Sequence, residues 1–240
     1  MSALPSDPRL PDMPRDPERT RGRYDVMLDG RPAGIDERFV LGEIAAGVWR
    51  VRTTRVLSRP TARLESDVRV DADGVSVAIR WLGSGAGVVR DATATLVERS
   101  GTVRATRTVD GQAYDEVVLP GRANTLAHVA AGPLMLAAVG GVDVVAPQVL
   151  DAHDAAAFLA PVAARWTTTP AGAGTVLVGG EEHRGTAYDW VDSSTGWTAS
   201  VVVDDGGLLL RTRLTAPDGE LEVTLAEVEG PWPVPLSWQP

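Results

Sequence analysis

The feature that most constrains this chain is a repeated alternation of apolar and polar residues with a period of two. Residues 63–70 and 75–81 both alternate in this way, and Asp71-Ala72-Asp73-Gly74 between them is typical of a tight hairpin turn. Similar runs begin at Tyr24 and at Trp49. The remaining predicted strands are 92–99, 102–109, 113–119, 175–179, 185–192, 197–203, 207–214 and 220–228. Each run has one apolar and one polar face, as expected of antiparallel strands that bury one side.

Residues 122–166 break this rhythm. The stretch 124–139 is rich in Ala, Leu and Met, although Gly132-Pro133 interrupts it. The run from Asp151 to Trp166 predicts a helix, because Asp151 can cap it and its alanines favour helix. The sequence therefore predicts a mainly β fold. We expect one large curled antiparallel sheet, a β-roll or an open barrel, with a short central α-helical insert at about 122–166 that covers a face or mouth.

The first 23 residues differ in composition from the rest of the chain. They contain five prolines and nine charged residues and offer little apolar surface to bury. This composition predicts a disordered or loosely packed tail, followed by a single domain at 24–240. The tail also lacks the apolar core of a signal peptide, so a cytoplasmic protein is expected.

Charge and composition exclude several classes of chemistry. The chain has 23 basic and 32 acidic residues, and every one of the 23 is arginine, because the sequence contains no lysine. It also contains no cysteine. A Schiff-base lysine, a P-loop lysine, a thiolate nucleophile and a disulfide framework are therefore excluded. The net charge of −9 argues against a nucleic-acid partner, and the absence of an unbroken apolar run of about 18 residues predicts no transmembrane helix.

The three histidines give little support for metal chemistry. His128, His153 and His183 are widely separated, and no pair has the spacing of metal ligands. We therefore expect no metal site, and no motif suggests a cofactor. If the protein is an enzyme, His153 is the candidate general base, since it lies at the edge of the predicted insert.

Six arginines alternate with apolar residues along the early strands. This pattern is typical of a solvated outer face on which arginines pair with acidic residues. One or two of them could instead hold a ligand carboxylate, because a guanidinium binds carboxylates in a bidentate manner. These arginines are Arg50, Arg52, Arg55, Arg63, Arg69 and Arg80.

Aromatic residues are the most informative candidates for a binding site. Five of them lie on the apolar faces of predicted strands or at a strand start: Trp49, Trp81, Tyr188, Trp190 and Trp197. One interpretation is ordinary core packing. The other is an aromatic-lined cavity, because an indole offers a flat apolar wall and one N–H donor, which suits a bulky, mostly apolar ligand with a few oxygens.

Two parts of the sequence resemble known bacterial families. The opening Tyr24-Asp25-Val26 with Asp29-Gly30 and Gly34 is similar to the first hairpin of several bacterial β-roll families of unknown function. Gly185 to Trp190 and Val201 to Arg211 are similar to their closing strands. These families resemble proteins described as glycolipid-binding and, more remotely, periplasmic lipoprotein carriers. The resemblance implies a curved antiparallel sheet around an apolar groove, and it carries no catalytic residues to this chain.

Three functional hypotheses follow from the sequence. The first is a module that binds a lipid-like or polycyclic small molecule in an aromatic-lined groove. The second is a cofactor-independent cyclase or isomerase of secondary metabolism, acting on a hydrophobic metabolite in the same cavity. Such catalysis needs shape and a few polar groups and leaves no sequence motif. The third is a structural partner protein without a small-molecule ligand.

Overall fold

The computed structural model describes residues 19–58, 61–85, 88–125, 140–148, 153–216 and 219–230. Within these ranges fifteen strands form one sheet. The strands are β1 (Thr20–Leu28), β2 (Arg31–Ala45), β3 (Val48–Ser58), β4 (Thr61–Asp71), β5 (Gly74–Gly85), β6 (Val88–Arg99), β7 (Thr102–Val109), β8 (Gln112–Pro120), β9 (Arg122–Ala123), β10 (Val142–Pro147), β11 (Pro161–Val178), β12 (Glu181–Asp192), β13 (Thr198–Val203), β14 (Leu209–Ala216) and β15 (Gly219–Glu229).

The sheet consists of two meanders that meet at β1. The strand order runs from β8 back to β1 and then from β15 back to β9, so β1 pairs with both β2 and β15. All pairings are antiparallel except the short parallel pairing of β9 with β10. The two ends of the sheet approach each other, because only Gly121 separates β8 from β9, and the N–H of Ala123 on β9 donates to Oε2 of Glu98 on β6 at 2.9 Å. The result is a nearly closed, barrel-like sheet.

The core lies on the inner face of this sheet. The cross-strand register places five apolar residues in one row, on five successive strands, and all of them are buried: Val51, Val68, Val77, Leu96 and Ala105. Side chains directly opposite one another in antiparallel strands lie on the same face and pack together. The alternating pattern of the sequence therefore becomes a continuous apolar inner surface.

The predicted helical insert at 122–166 is wrong where the structure describes it. The described parts form β9, β10, a turn segment at 153–160 and the beginning of β11. None of the described residues is helical, and hence none belongs to a helix that could cross a membrane. Residues 126–139 and 149–152 of the predicted insert lie outside the described residues.

The helix predicted from Asp151 to Trp166 fails for two physical reasons. Pro161 lies inside it, and a proline there removes one helical hydrogen bond and clashes with the preceding turn. The residues that follow include the β-branched run 167–169, which favours strand. Asp154 instead closes a single turn, in which the N–H groups of Ala157 and Phe158 both donate to Asp154 O, at 3.1 and 3.0 Å. The chain then enters β11 at Pro161.

The beginning of the sheet overlaps the predicted tail. Strand β1 begins at Thr20, so residues 20–23 pair with β2 and β15. Residues 1–18 lie outside the described residues.

Candidate functional site

The inner face of the barrel-like sheet carries the aromatic residues predicted as a binding surface. Trp81 on β5 and Trp190 on β12 are buried in the core, each only 5 % exposed. Trp49, Tyr188 and Trp197 are partly buried and pack against the same core. The structure therefore places all five on one core, with two of them as buried members and three at its accessible margin.

Trp81 contacts a side chain from the turn segment, residues 153–160. Its ring meets the Phe158 ring edge-to-face, with centroids 5.6 Å apart and an interplanar angle of 79°. Phe158 and Leu159 are fully buried, although they belong to no strand. Leu159 adopts a φ of 54°, which is costly for a residue other than glycine and turns the chain toward β11. The turn segment thus acts as a plug that fills part of the inner face.

Arg107 on β7 holds this plug through the backbone. Its Nη1 donates to the carbonyls of Ala155 and Phe158, at 3.2 and 2.7 Å, and its Nη2 donates to the carbonyl of Ala156. The guanidinium lies 3.9 Å from the centroid of the Tyr114 ring, so a cation–π contact orients it. A single arginine therefore satisfies three carbonyls that no strand partner reaches.

His153, the candidate general base, lies at the start of the turn segment. Its side chain is exposed. Its carbonyl accepts a hydrogen bond from Arg90 Nη2 at 3.0 Å, and Arg90 also pairs with Asp110 at 2.5 Å. Two arginines on neighbouring strands thus bind opposite ends of the plug. The residue takes part in the site through its backbone, while the predicted catalytic role of its imidazole stays a prediction.

Trp190 makes the second edge-to-face aromatic contact. Its partner is Trp166 on β11, with ring centroids 4.9 Å apart and an interplanar angle of 84°. Sequence reasoning missed Trp166, because it placed this residue at the end of a helix. The signal that could have identified it is the run of three threonines that follows, which is typical of a strand.

A buried ion pair lies on the same inner face. Glu37 on β2 is fully buried, and its Oε2 accepts from Nε of Arg55 on β3 at 2.6 Å. Tyr24 on β1 lies opposite Glu37 in the register and donates its hydroxyl to Leu209 O at 2.8 Å. Burial raises the pKa of Tyr24 well above its usual range, and the negative charges of Glu37 and Asp204 raise it further. Tyr24 therefore stays protonated in the folded protein at neutral pH.

This polar group adjoins the aromatic surface through the register. Arg55 lies opposite Leu64, and Leu64 lies opposite Trp81, so a single row connects the ion pair to the tryptophan. Sequence reasoning missed Glu37. It could have been found because it alternates with Ile35 and Phe39, which places a carboxylate on an apolar face.

The other early arginines follow the predicted outer-face pattern in part. Arg50 and Arg52 both pair with Asp67, the latter at 3.4 Å, whereas Arg55 points inward to Glu37. Arg52 and Asp67 also line an open groove of about 460 Å³ on the outer side of β3–β6. The groove is bordered by charged side chains and by the exposed Thr93 and Thr95.

The titratable groups do not gather into a metal centre within the described part of the chain. No three of its His, Asp or Glu side chains lie together in an arrangement able to hold a metal ion. His183 lies on β12, opposite Val176, and His128 lies outside the described residues.

Comparison with known proteins gives a structural likeness and no sequence family. No protein-family model matches the chain, and no curated protein matches it. A solved structure from Brucella abortus, a β-barrel-like protein of the domain of unknown function DUF1849, superposes with a TM-score of 0.55. The two share 11 % sequence identity, and the match covers 89 % of this chain and 98 % of that one. The likeness shows the fold alone and places this chain beside a bacterial β-barrel-like protein of unknown function.

Proposed function

We propose that this protein binds a bulky, mostly apolar small molecule, lipid-like or polycyclic, against the inner face of its barrel-like sheet. One observation carries the proposal: large aromatic side chains pack on the core and still keep part of their surface accessible. Trp49, Trp166, Tyr188 and Trp197 all have this property. Tryptophan is rarely buried completely, but several rings that share one core and keep accessible surface provide the flat apolar wall and the N–H donors that a bulky apolar ligand needs.

Binding of a neutral polycyclic dye tests the proposal. Nile red should quench the tryptophan fluorescence of the wild-type protein saturably. Replacing Trp166 by Ala should weaken binding by about 1–3 kcal/mol, because a large apolar contact is lost. Leu177→Ala is the matched control, since Leu177 lies on the same strand but is 67 % exposed. Unsaturable quenching, or equal affinity of the folded Trp166→Ala variant, would contradict the proposal.

The natural ligand can be sought directly. Native mass spectrometry of the purified protein, followed by solvent extraction, should reveal a hydrophobic molecule that the Trp166→Ala variant retains less well. This experiment reports the chemical class of the ligand without assuming it.

A second candidate function is a cofactor-independent cyclase or isomerase that acts on a hydrophobic metabolite in the same interior. The row formed by Tyr24, Glu37 and Arg55 favours it, because a carboxylate or a phenol can exchange a proton with a substrate, while the guanidinium stays charged and stabilises negative charge beside it. Incubating the extracted molecule with fresh protein should then yield a product, and folded Glu37→Gln should bind it without turnover. Recovery of the molecule unchanged would exclude this second candidate.

A further inference from the structure

Two directly opposed residues in the second half of the barrel each bury a polar atom that has no hydrogen-bond partner among the described residues. They are Oγ1 of Thr168 on β11 and Nε1 of Trp190 on β12. Thr168 is 1 % exposed and Trp190 is 5 % exposed. The two residues lie directly opposite each other in the β11–β12 register, so their side chains project from the same face of the sheet.

A buried polar atom without a hydrogen-bond partner destabilises a protein, so two of them on opposed residues require an explanation. Leaving a buried donor or acceptor unpaired destabilises the folded state, and native proteins contain few such groups. The edge-to-face contact with Trp166 fixes the plane of the Trp190 indole and hence the direction of its N–H. The indole N–H is therefore held in one direction, and neither polar atom has a partner among the described residues.

We propose that Thr168 and Trp190 form the polar subsite of the binding surface and together donate hydrogen bonds to one neutral carbonyl oxygen of the ligand. This inference rests on the proposed function and adds the chemical group that the site recognises. An indole N–H can only donate, and a hydroxyl can donate as well, so the group between them must be an acceptor.

The surrounding charge favours a neutral acceptor over a carboxylate. Asp192 is buried on the same face of β12, two residues beyond Trp190 and opposite Trp166 in the register. Its Oδ1 accepts from the N–H and hydroxyl of Ser194, which turns the residue toward the β12–β13 loop. A second negative charge brought beside it would be repelled in a buried environment. A ketone, ester or amide oxygen meets the two donors without that repulsion.

A matched pair of probes tests this subsite. Fluorenone and fluorene have the same polycyclic shape, but only fluorenone carries a carbonyl oxygen. The wild-type protein should bind fluorenone tighter by roughly fivefold or more, since one net hydrogen bond contributes about 1 kcal/mol. Thr168→Val, which replaces the hydroxyl by a methyl group, should remove most of this preference and leave the affinity for fluorene unchanged. The carbonyl stretch of bound fluorenone should lie at lower frequency in the wild type than in this variant.

The stability of the unliganded variant provides an independent readout. If the Thr168 hydroxyl has no partner, Thr168→Val should preserve or raise the melting temperature, because an unsatisfied buried group is removed. A clear drop in the melting temperature would mean that the hydroxyl is satisfied within the protein, and it would overturn the subsite.

The outcomes separate the subsite from the proposed function. Equal affinity for the two probes in the wild type, with no effect of Thr168→Val, would overturn the subsite while the binding function stands. Failure of both probes to bind would overturn both. Trp190→Phe, which keeps an aromatic ring and removes the N–H, should reproduce the loss of preference if the subsite is correct.

Discussion

Strands β3–β7 and strands β11–β15 belong to one sheet but pack in different ways. From β3 to β7 the register runs without a bulge, and β4 shows strict alternation of buried and accessible residues. In the second region, the β11–β12 and β13–β14 pairings contain register shifts. There, Val201 to Val203 and Leu208 to Leu210 are buried consecutively.

The consecutively buried part of the second region, Val201 to Val203 and Leu208 to Leu210, is covered on both faces, and the end of β11 lies close to the neighbouring strands. Gly179, just after β11, donates its N–H to Ala226 O on β15 at 2.9 Å. A Cβ added at Gly174 would lie only 2.8 Å from Cγ1 of Val202, and one at Gly185 would overlap the carbonyl oxygen of Val203. Only a residue without a side chain allows such close approach at these two positions.

This difference indicates where function is concentrated. A strand with one solvated face places its polar side chains in water, so its sequence alternates. The buried face of such a strand is apolar and contributes mainly to stability. The second region instead buries a polar atom of Thr168 and one of Trp190 without a hydrogen-bond partner among the described residues, although the residues on either side of each are exposed. We therefore infer that β3–β7 mainly maintain the barrel and that β11–β15 carry the recognition chemistry.

The largest expected effect comes from cutting the strand that joins the two regions. Deleting residues 1–23 removes the first four residues of β1, which pair with both β2 and β15. We expect the melting temperature to fall by about 10 °C or more, as measured by circular dichroism. Deleting only residues 1–18 is the control, and its composition predicts a nearly unchanged melting temperature. Similar melting of the two deletions would show that the start of β1 is dispensable.

Removal of the buried carboxylate should have the next largest effect. Glu37→Ala leaves the Arg55 guanidinium, 17 % exposed, without its buried partner. We expect a loss of about 3–5 kcal/mol in the free energy of unfolding, measured in urea. Glu227→Ala is the matched control, because this carboxylate is exposed and water screens its ion pair with Arg23, so the change should have little effect. The double change Glu37→Leu with Arg55→Met should recover much of the loss, and equal losses in both single variants would contradict the assignment.

The contrast between the regions also explains how much the sequence could predict. The alternating runs at 64–70 and 75–81 lie within β4 and β5, because one solvated face preserves the period of two. The beginning of β11 could not be identified in this way. Its alanines resemble a helix, and its mostly accessible face lacks the apolar stripe that marks a strand.

The candidate site was predictable only in part for the same reason. Trp81 and Trp190 lie on apolar faces, so alternation placed them inside. Arg55 resembled the outer arginines, since its burial depends on Glu37, which lies 18 residues away and becomes its neighbour only through the β2–β3 register. Likewise, no local pattern shows that the hydroxyl of Thr168 lacks a partner.

A pair of core truncations sharpens the comparison. Leu96 on β6 and Leu210 on β14 are both almost fully buried. Leucine-to-alanine changes in cores cost about 2–5 kcal/mol, and the cost rises with the cavity that remains. We expect Leu210→Ala near the upper end of this range, because strands on both sides hold the cavity open, and Leu96→Ala near the lower end. Urea unfolding measures both, and the reverse order would mean that the doubly covered region is packed less tightly than inferred.

The smallest expected effect is a pH dependence of the free energy of unfolding that arises from Tyr24. Its hydroxyl on β1 donates to Leu209 O on β14. Its pKa is raised in the folded protein by burial and by neighbouring negative charge. Below pH 10 both the folded and the unfolded states hold the proton, so stability does not depend on this group. Above pH 10 the unfolded chain releases the proton while the folded protein keeps it. The free energy of unfolding should therefore fall by about 1.4 kcal/mol per pH unit from this residue.

The composition makes this dependence measurable. The chain has no lysine and no cysteine, so tyrosines are the only side chains expected to titrate in the unfolded state between about pH 9 and 11.5. Tyr24→Phe should lose about 1 kcal/mol at neutral pH, through the hydrogen bond to Leu209, and should then flatten the alkaline slope. Tyr188→Phe retains the contribution of Tyr24 and is the control. Urea unfolding at pH 8, 9, 10 and 11 separates the hydrogen bond from the titration of the phenol. Loss of the hydrogen bond lowers the free energy of unfolding by the same amount at every pH, whereas the titration changes its slope against pH. An unchanged slope in Tyr24→Phe would mean that the phenol ionises as readily in the folded barrel as in the unfolded chain, and that β1 does not bury it between the two regions.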